Sequence, residues 1–270
     1  MIKIIVLFFL SFCLLFGEQK ELRVGFLSIE SSEMLYKKLA PFATYLENQT
    51  GMKVSLYAGC DYKDTIDKIT NEVLDIVYLG PVPYIKAKEK NPLLKIIASL
   101  ENANEDAFKS VIFVKKGSNL KTLPDLKGKT FAFGSRNSTL SYYVPMYMLK
   151  KQNIDTQLER FAFLGRHDRV AQYVIMGKYD AGSIKTSVAE KYSDYIEVIA
   201  RSEQYDNFLF LASSQLDDAT FTKIQNALLE LKNEQILKAF DANSSGFIKK
   251  EDKEYDSLRK LVKIVDMLKR

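Results

Sequence analysis

Three small hydroxylated residues, Ser138, Thr139 and Ser141, stand between a predicted strand and a predicted helix. β-Branched and aromatic residues predict the strand over 130–133, and residues 134–137 supply the turn. Ser138 is a suitable N-cap, and the first backbone N–H groups of a helix have no partner within it. These groups and the hydroxyls can stabilise an anion without a counter-charge. The same stretch also fits an ordinary helix cap, so alone it leaves both interpretations open.

The composition limits the classes of protein to which the chain can belong. Its 270 residues, 47% of them hydrophobic, suffice for one large α/β domain or for two lobes. The formal net charge is +5, and the lysines are spread along the sequence rather than clustered. This distribution indicates a solvated surface and no nucleic-acid partner. No metal-ligand spacing, Walker loop or dinucleotide fingerprint is present, so no cofactor or metal is expected.

The first 17 residues are predicted to be a signal peptide. A basic start precedes an apolar run over residues 4–16, and Gly17 is a suitable small residue at a cleavage point. The run is short for a membrane span, although uncleaved anchoring and lipidation at Cys13 stay open. We therefore expect export to the periplasm and a monomeric mature protein. Cleavage would leave Cys60 as the single cysteine, so no internal disulfide is expected.

Strands and helices are predicted to alternate along the rest of the chain. Up to about residue 100 the order βαβαβαβ indicates a mostly parallel sheet, and a second α/β set follows it. Extended segments near Val111 and Phe208 join the two sets, so the chain would cross twice between two lobes. The predicted boundaries are 21–112 plus 208–270 for lobe 1 and 113–207 for lobe 2.

Several short segments occur in an order that is specific as a set. They are Asp61-Tyr62, 75–84 (Asp-Ile-Val-Tyr-Leu-Gly-Pro-Val-Pro-Tyr), 125–129 (Asp-Leu-Lys-Gly-Lys), 137–141 (Asn-Ser-Thr-Leu-Ser), 165–168 (Gly-Arg-His-Asp) and 177–181 (Gly-Lys-Tyr-Asp-Ala). Together with the signal peptide, they closely resemble the phosphate/phosphite/phosphonate-type substrate-binding proteins of ABC transporters. The resemblance covers nearly all of the mature chain. It implies a type II periplasmic binding protein, with two α/β lobes, a hinge and a ligand cleft between the lobes.

The resemblance also implies where the ligand sits. A small tetrahedral oxyanion would lie on the helix N-terminus at Ser138, with contacts from both lobes. The residues expected to bind it are Tyr62, Tyr84, Ser138, Thr139, Ser141, His167 and Asp206, with Cys60 beside them at the predicted cleft.

Two departures from the family pattern bear on the ligand. Leu140 stands where the pattern has a hydroxylated residue, so one donor is replaced by an apolar group. Residues 181–189, where binders of aminophosphonates carry acidic groups, contain Lys185 and no carboxylate. The second departure argues for a simple oxyanion rather than an amine-bearing phosphonate.

Each candidate residue also has an ordinary structural interpretation. His167 is the single histidine of the chain, and its position at a helix start favours ligand contact, with Asp168 capping that helix and orienting the ring. Tyr62 and Tyr84 fit a core as well as a cleft, and Tyr84 follows a Gly-Pro-x-Pro turn that favours the cleft. Cys60 is a small hydrophobe in most settings, but its thiol would suit trivalent arsenic.

Three functions follow from these observations. The first is a periplasmic receptor that delivers the oxyanion to an ABC permease. The second is a sensory partner of a membrane histidine kinase, of the phosphate- or arsenic-oxyanion type. The third and weakest is an enzyme on the same fold. It would need a Cys60–His167 or Ser138–His167 pair, and neither pair has a local sequence motif. We therefore expect a binding protein rather than an enzyme.

Overall fold

The computed structural model describes residues 20–27, 32–103 and 108–268, so the predicted signal peptide lies outside it. The strands of this part are β1 (Glu21–Phe26), β2 (Lys53–Ala58), β3 (Ile76–Leu79), β4 (Lys95–Asn102), β5 (Ser110–Lys115), β6 (Thr130–Phe133), β7 (Arg160–Phe163), β8 (Ala181–Lys185), β9 (Ile196–Arg201), β10 (Leu209–Ala212) and β11 (Ser244–Ile248). The helices are α1 (Ser32–Thr50), α2 (Tyr62–Thr70), α3 (Pro81–Lys90), α4 (Val144–Lys151), α5 (His167–Ile175), α6 (Thr186–Lys191), α7 (Asp218–Glu230), α8 (Glu234–Phe240) and α9 (Asp256–Met267).

Two mixed sheets form two α/β lobes. The first sheet has the order β11-β4-β10-β3-β1-β2, and the second has the order β7-β6-β8-β5-β9. Strands β1, β2 and β3 are parallel, as predicted, but β4 does not pair with β3. Strand β10 returns from the second lobe and lies antiparallel between β3 and β4. The predicted run of parallel strands is therefore interrupted by a strand from much later in the chain.

The chain crosses between the lobes twice. The first crossing falls between β4 and β5. Strand β5 pairs within the second sheet from Ser110 onward, so this crossing lies before the predicted boundary after Ile112. The second crossing, between β9 and β10, contains residues 202–208. Phe108 on the first crossing and Phe208 on the second contact each other edge to face, 5.7 Å between ring centroids.

The C-terminal helix packs against both lobes. Leu258, Val262 and Val265 form the buried face of α9, which packs against α3 of the first lobe and α4 of the second. Asp266 on this helix accepts a hydrogen bond from the Tyr143 hydroxyl at 2.8 Å and pairs with Lys86. The segment assigned to lobe 1 by sequence therefore contacts both lobes.

Candidate functional site

The Ser138 turn of the second lobe inserts between two helix N-termini of the first. Ser138 is an N-cap, as predicted, and its hydroxyl oxygen accepts from the Ser141 backbone N–H at 3.1 Å. The following residues form a π-helical turn, Thr139–Tyr143, which continues into α4. Tyr62, the first residue of α2, is buried beside Ser138 and interacts with its hydroxyl. The two lobes therefore meet at the stretch that the sequence singles out as an anion site.

Thr139 contacts the start of α3. Its Oγ1 accepts from the Val82 backbone N–H at 3.0 Å. Pro81 and Pro83 have no N–H, so Val82 supplies the donor at this end of the helix. Gly80 borders this contact, since a Cβ there would lie 3.4 Å from Thr139 Oγ1, an ordinary van der Waals distance. Since the Thr139 oxygen accepts from Val82, its hydroxyl hydrogen can donate to a ligand.

His167 is the first residue of α5 and is buried against Ser138. Its Nδ1 accepts from the Lys185 backbone N–H at 3.0 Å, so in the neutral ring the hydrogen is on Nε2. Nε2 lies 3.2 Å from Ser138 Oγ and donates to it. Burial lowers the pKa of His167 from 6.5 to about 4, the Lys185 charge acts in the same direction, and Asp168 opposes them. The imidazole is therefore neutral at pH 7 and presents an N–H group toward Ser138.

The hydrogen bonds of Ser138 determine where its own hydrogen points. The oxygen accepts from the Ser141 N–H and from His167 Nε2, which uses both lone pairs. The hydroxyl hydrogen must therefore donate elsewhere, to Tyr62 or to a bound ligand. Burial raises the pKa of Tyr62 to about 12, and the contact with Ser138 partly offsets this rise. Its hydroxyl therefore stays protonated at pH 7 and is also a donor.

These donors border a cavity of about 830 Å³ between the lobes. Both lobes contribute to its wall, and its basic side chains outnumber its acidic ones. The basic residues are Lys38, Arg166, Lys185, Lys191 and Lys238, and the acidic ones are Asp168, Glu190 and Asp241. Aromatic, apolar and small polar residues also line the cavity, among them Tyr62, Tyr78, Gly80, Phe108, Ser138, Thr139, Leu140, His167, Phe208 and Phe240.

A buried ion pair at the wall of this cavity connects the two lobes. Lys185, the last residue of β8, pairs with Asp241, at the end of α8, with 2.5 Å between Nζ and Oδ2. The ammonium group also lies over the rings of Phe108, at 5.3 Å, and Phe208, at 6.0 Å. The pair connects the two lobes, and the same lysine donates its backbone N–H to the imidazole of His167.

Comparison with known proteins gives one consistent result. Residues 24–255 match the family described as ABC transporter, phosphonate, periplasmic substrate-binding protein. The chain belongs to this family. It is 29% identical to a probable ABC transporter phosphite-binding protein, PhnD1, of Prochlorococcus marinus, over 92% of each chain.

Solved structures agree with this family assignment. The structure of Prochlorococcus PhnD1 in complex with methylphosphonate has a TM-score of 0.84 and 25% identity, and covers 92% of this chain and 98% of that one. A binding protein component of an ABC phosphonate transporter from Pseudomonas aeruginosa has a TM-score of 0.82 and 23% identity, covering 90% and 86% of the two chains. The type II periplasmic binding protein fold predicted from sequence is thereby confirmed.

In this phosphonate-type binding protein, Ser141 does not face the cavity. Its hydroxyl accepts from the Gly134 N–H at 2.7 Å and donates to the Ser183 carbonyl. The hydroxyl is thus used within the second lobe, where it ties the π-helical turn to β6 and β8. The prediction that Ser141 binds ligand is corrected to a structural role.

Tyr84 likewise does not line the cavity. Helix α3 begins at Pro81, and Tyr84 falls on its buried side, with its ring tilted against that of Tyr255 at 4.9 Å between centroids. Its hydroxyl pairs with Asp252, and Arg259 donates to it at 3.3 Å. Tyr84 therefore anchors the C-terminal segment to the first lobe rather than lining the cleft.

Two further candidates lie outside the cavity wall. Asp206, on the second crossing, pairs with Lys250 at 3.0 Å and so faces the C-terminal segment. Cys60 is exposed, and its backbone N–H donates to Asp64 at 3.0 Å. Asp168 does line the cavity but pairs with Arg166 instead of orienting His167, a role that the Lys185 backbone takes.

The structure thus places Tyr62, Ser138, Thr139 and His167 together at one cavity, and their contact with ligand stays a prediction. Within the described ranges, His, Cys, Asp and Glu side chains form no group that could hold a metal ion. Across the same ranges every helix is too short or too polar to span a bilayer.

Proposed function

We propose that this substrate-binding protein captures a small tetrahedral oxyanion, of the phosphate, phosphite or phosphonate type, and delivers it to an ABC permease. The observation that carries the proposal is the set of neutral donors at the cavity. Ser138, Thr139 and Tyr62 can each direct a hydrogen to one place between the lobes, and His167 orients the Ser138 hydroxyl by donating to its oxygen. An oxyanion that accepts several such bonds is stabilised without a buried counter-ion.

The arrangement also supports capture by lobe closure. The Ser138 and Thr139 hydroxyls of lobe 2 face Tyr62 and the start of α3 in lobe 1. A ligand that accepts from both lobes favours the closed form over the open one, and this difference in affinity is what closes a hinge. The permease would then recognise the closed form. The excess of basic side chains around the cavity would attract the anion during encounter.

The periplasm is where members of this family act, as its description states. We propose that residues 1–17 direct the chain there, as their pattern predicts. Delivery to a permease is favoured over docking on a sensor kinase by the name of the 29% identical relative, which is that of a transporter component. The arsenic variant of the sensor hypothesis loses its support, because Cys60 is exposed and apart from the cavity wall.

The enzyme alternative meets a chemical obstacle at the Ser138–His167 pair. A serine nucleophile needs a histidine nitrogen with a free lone pair facing its hydroxyl. Here Nδ1 accepts from the Lys185 N–H, so the hydrogen is on Nε2, the nitrogen that faces Ser138. His167 therefore donates to the serine and does not take its proton. The geometry supports ligand binding and opposes nucleophilic catalysis.

A thermal-shift panel on the mature domain, from about Glu18, tests the proposal. Phosphate, phosphite, methylphosphonate and sulfate would each be added over a concentration series. A ligand at a hundred times its dissociation constant stabilises the folded state by about 2.7 kcal/mol, which raises Tm by several degrees. We expect at least one of the phosphorus oxyanions to do so. The absence of a shift with all of them would refute oxyanion capture.

A further inference from the structure

An aromatic wall lines the first-lobe side of the cavity, and the donors described above do not use it. The wall consists of Phe108, Phe208, Tyr78 and Phe240, which contact one another in that order. Phe208 stacks on Tyr78 with 5.1 Å between centroids, and Tyr78 meets Phe240 at 5.0 Å. All four line the cavity. A simple inorganic oxyanion has no group that would use such a surface.

The aromatic wall begins next to the oxyanion donors. A Cβ placed on Gly80 would lie 3.4 Å from Thr139 Oγ1 and 3.6 Å from the Phe208 ring, so both border the same glycine. Leu140, directly after Thr139, also lines the cavity. A substituent on an oxyanion held at Thr139 would therefore meet Phe208 and Leu140 first. This placement gives a physical role to the apolar residue that departs from the family pattern.

The size of the cavity supports a ligand larger than an inorganic oxyanion. A tetrahedral oxyanion fills the space of only a few waters, at about 30 Å³ each. The cavity measures about 830 Å³. The lobes already touch beside it, through Thr139 with Val82 and through Lys185 with Asp241, so this volume is not that of lobes held fully apart. Small-molecule sites of this volume enclose organic ligands with apolar walls and a few polar groups.

The charges around the wall indicate an apolar substituent rather than an amine. Asp241 is paired with Lys185, and Asp168 is paired with Arg166. Neither of these two carboxylates is offered to a ligand ammonium group, and Glu190, the third acidic lining residue, is exposed to solvent on α6. The Lys185 ammonium lies 5.3 Å from the Phe108 ring centroid, so an amine placed against this part of the wall would be repelled.

We propose, resting on the oxyanion function above, that the preferred ligand is a phosphonate whose substituent is apolar and aromatic. Its phosphonate group is held by Ser138, Thr139 and Tyr62, and His167 orients the Ser138 hydroxyl. Its substituent lies on the aromatic wall and against Leu140. A second pocket, of about 30 Å³, also borders Tyr78, Phe208 and Phe240.

Isothermal titration of the mature protein with phosphite, methylphosphonate, aminoethylphosphonate and phenylphosphonate tests this inference. Burial of a phenyl ring adds enough apolar contact for phenylphosphonate to bind about tenfold tighter than methylphosphonate, or more. Aminoethylphosphonate should bind more weakly than phenylphosphonate. If methylphosphonate or phosphite binds as tightly as phenylphosphonate, the inference is wrong and the oxyanion function stands. If none of the four binds, the oxyanion function fails as well.

Matched variants locate the substituent. Phe208→Leu keeps apolar volume but removes the flat ring, and should reduce the preference for phenylphosphonate over methylphosphonate about fivefold. Leu140→Ala should act in the same direction. Phe161→Leu, on the edge strand β7 of the second sheet, is the control and should leave the preference unchanged. An unchanged preference in both Phe208→Leu and Leu140→Ala, with folded proteins by circular dichroism, would place the substituent elsewhere and refute the inference.

Discussion

Replacing Ser138 with glycine tests the oxyanion site while sparing the helix cap. Glycine at an N-cap costs only a few tenths of a kcal/mol relative to serine, so the start of the π-helical turn should form. What is lost is the hydroxyl, whose oxygen accepts from Ser141 and His167 and whose hydrogen is directed to Tyr62 or the ligand. A hydrogen bond to a charged group contributes about 1.5–3 kcal/mol, which corresponds to a loss in affinity of about 10- to 150-fold.

The matched control lies three residues further along the same turn. Ser141→Ala removes a hydroxyl that is fully buried but is bonded to Gly134 and Ser183. It should lower the free energy of unfolding by about 1–3 kcal/mol and leave ligand affinity unchanged. Both variants would be measured by titration calorimetry and thermal melts. Equal affinity losses for the two, or none for Ser138→Gly, would refute the placement of the oxyanion.

Three more predictions concern His167, Tyr84 and Asp241. Burial lowers the pKa of His167 to about 4 in the folded protein, so the free energy of unfolding of the wild type should fall by up to about 3 kcal/mol as the pH is lowered from 6.5 to 4. Urea melts of His167→Gln should lack this contribution. Tyr84→Phe should lose about 1 kcal/mol of stability, because the Tyr84 hydroxyl donates to Asp252, and its ligand affinity by calorimetry should be unchanged. A weakened affinity would show that Tyr84 does contact the ligand. Asp241→Asn should tighten anion binding and lower Tm, because Lys185 loses its buried partner; weaker binding would contradict this charge argument.

The cap at Ser138 was predictable because its determinants are local. A strand, a turn and a hydroxylated residue before a helix are adjacent in sequence, and the structure has β6 ending at Phe133 and Ser138 at the N-cap. His167 was also accessible, since it opens the predicted helix α5. The tautomer of His167 was not, because it depends on the Lys185 backbone of a different strand.

The missed assignments depend on contacts that are distant in sequence. Asp206 pairs with Lys250, and Lys185 pairs with Asp241, across separations that no sequence spacing reveals. The π-helical turn changes the direction of the Ser141 side chain, and hydroxyl spacing alone does not predict such a turn. Strand β11 reads as a Ser-Ser-Gly link between helices, and it becomes a strand by pairing with β4.

The aromatic wall could not be predicted from the sequence either. Phe108 and Phe208 lie on the two crossings, a hundred positions apart in the chain, and Phe240 ends α8. Each is an ordinary core residue by pattern. Only the folding of the chain brings these three rings to one side of the cavity.

A crystal structure of the mature protein with methylphosphonate tests the central claim most directly. We predict that the phosphonate oxygens lie within hydrogen-bond distance of Ser138 Oγ, Thr139 Oγ1 and the Tyr62 hydroxyl, with the methyl group toward Phe208. The side chains of Tyr84, Ser141 and Asp206 should keep the partners described above. A phosphonate bound elsewhere, or held chiefly by Tyr84 or Asp206, would contradict the account.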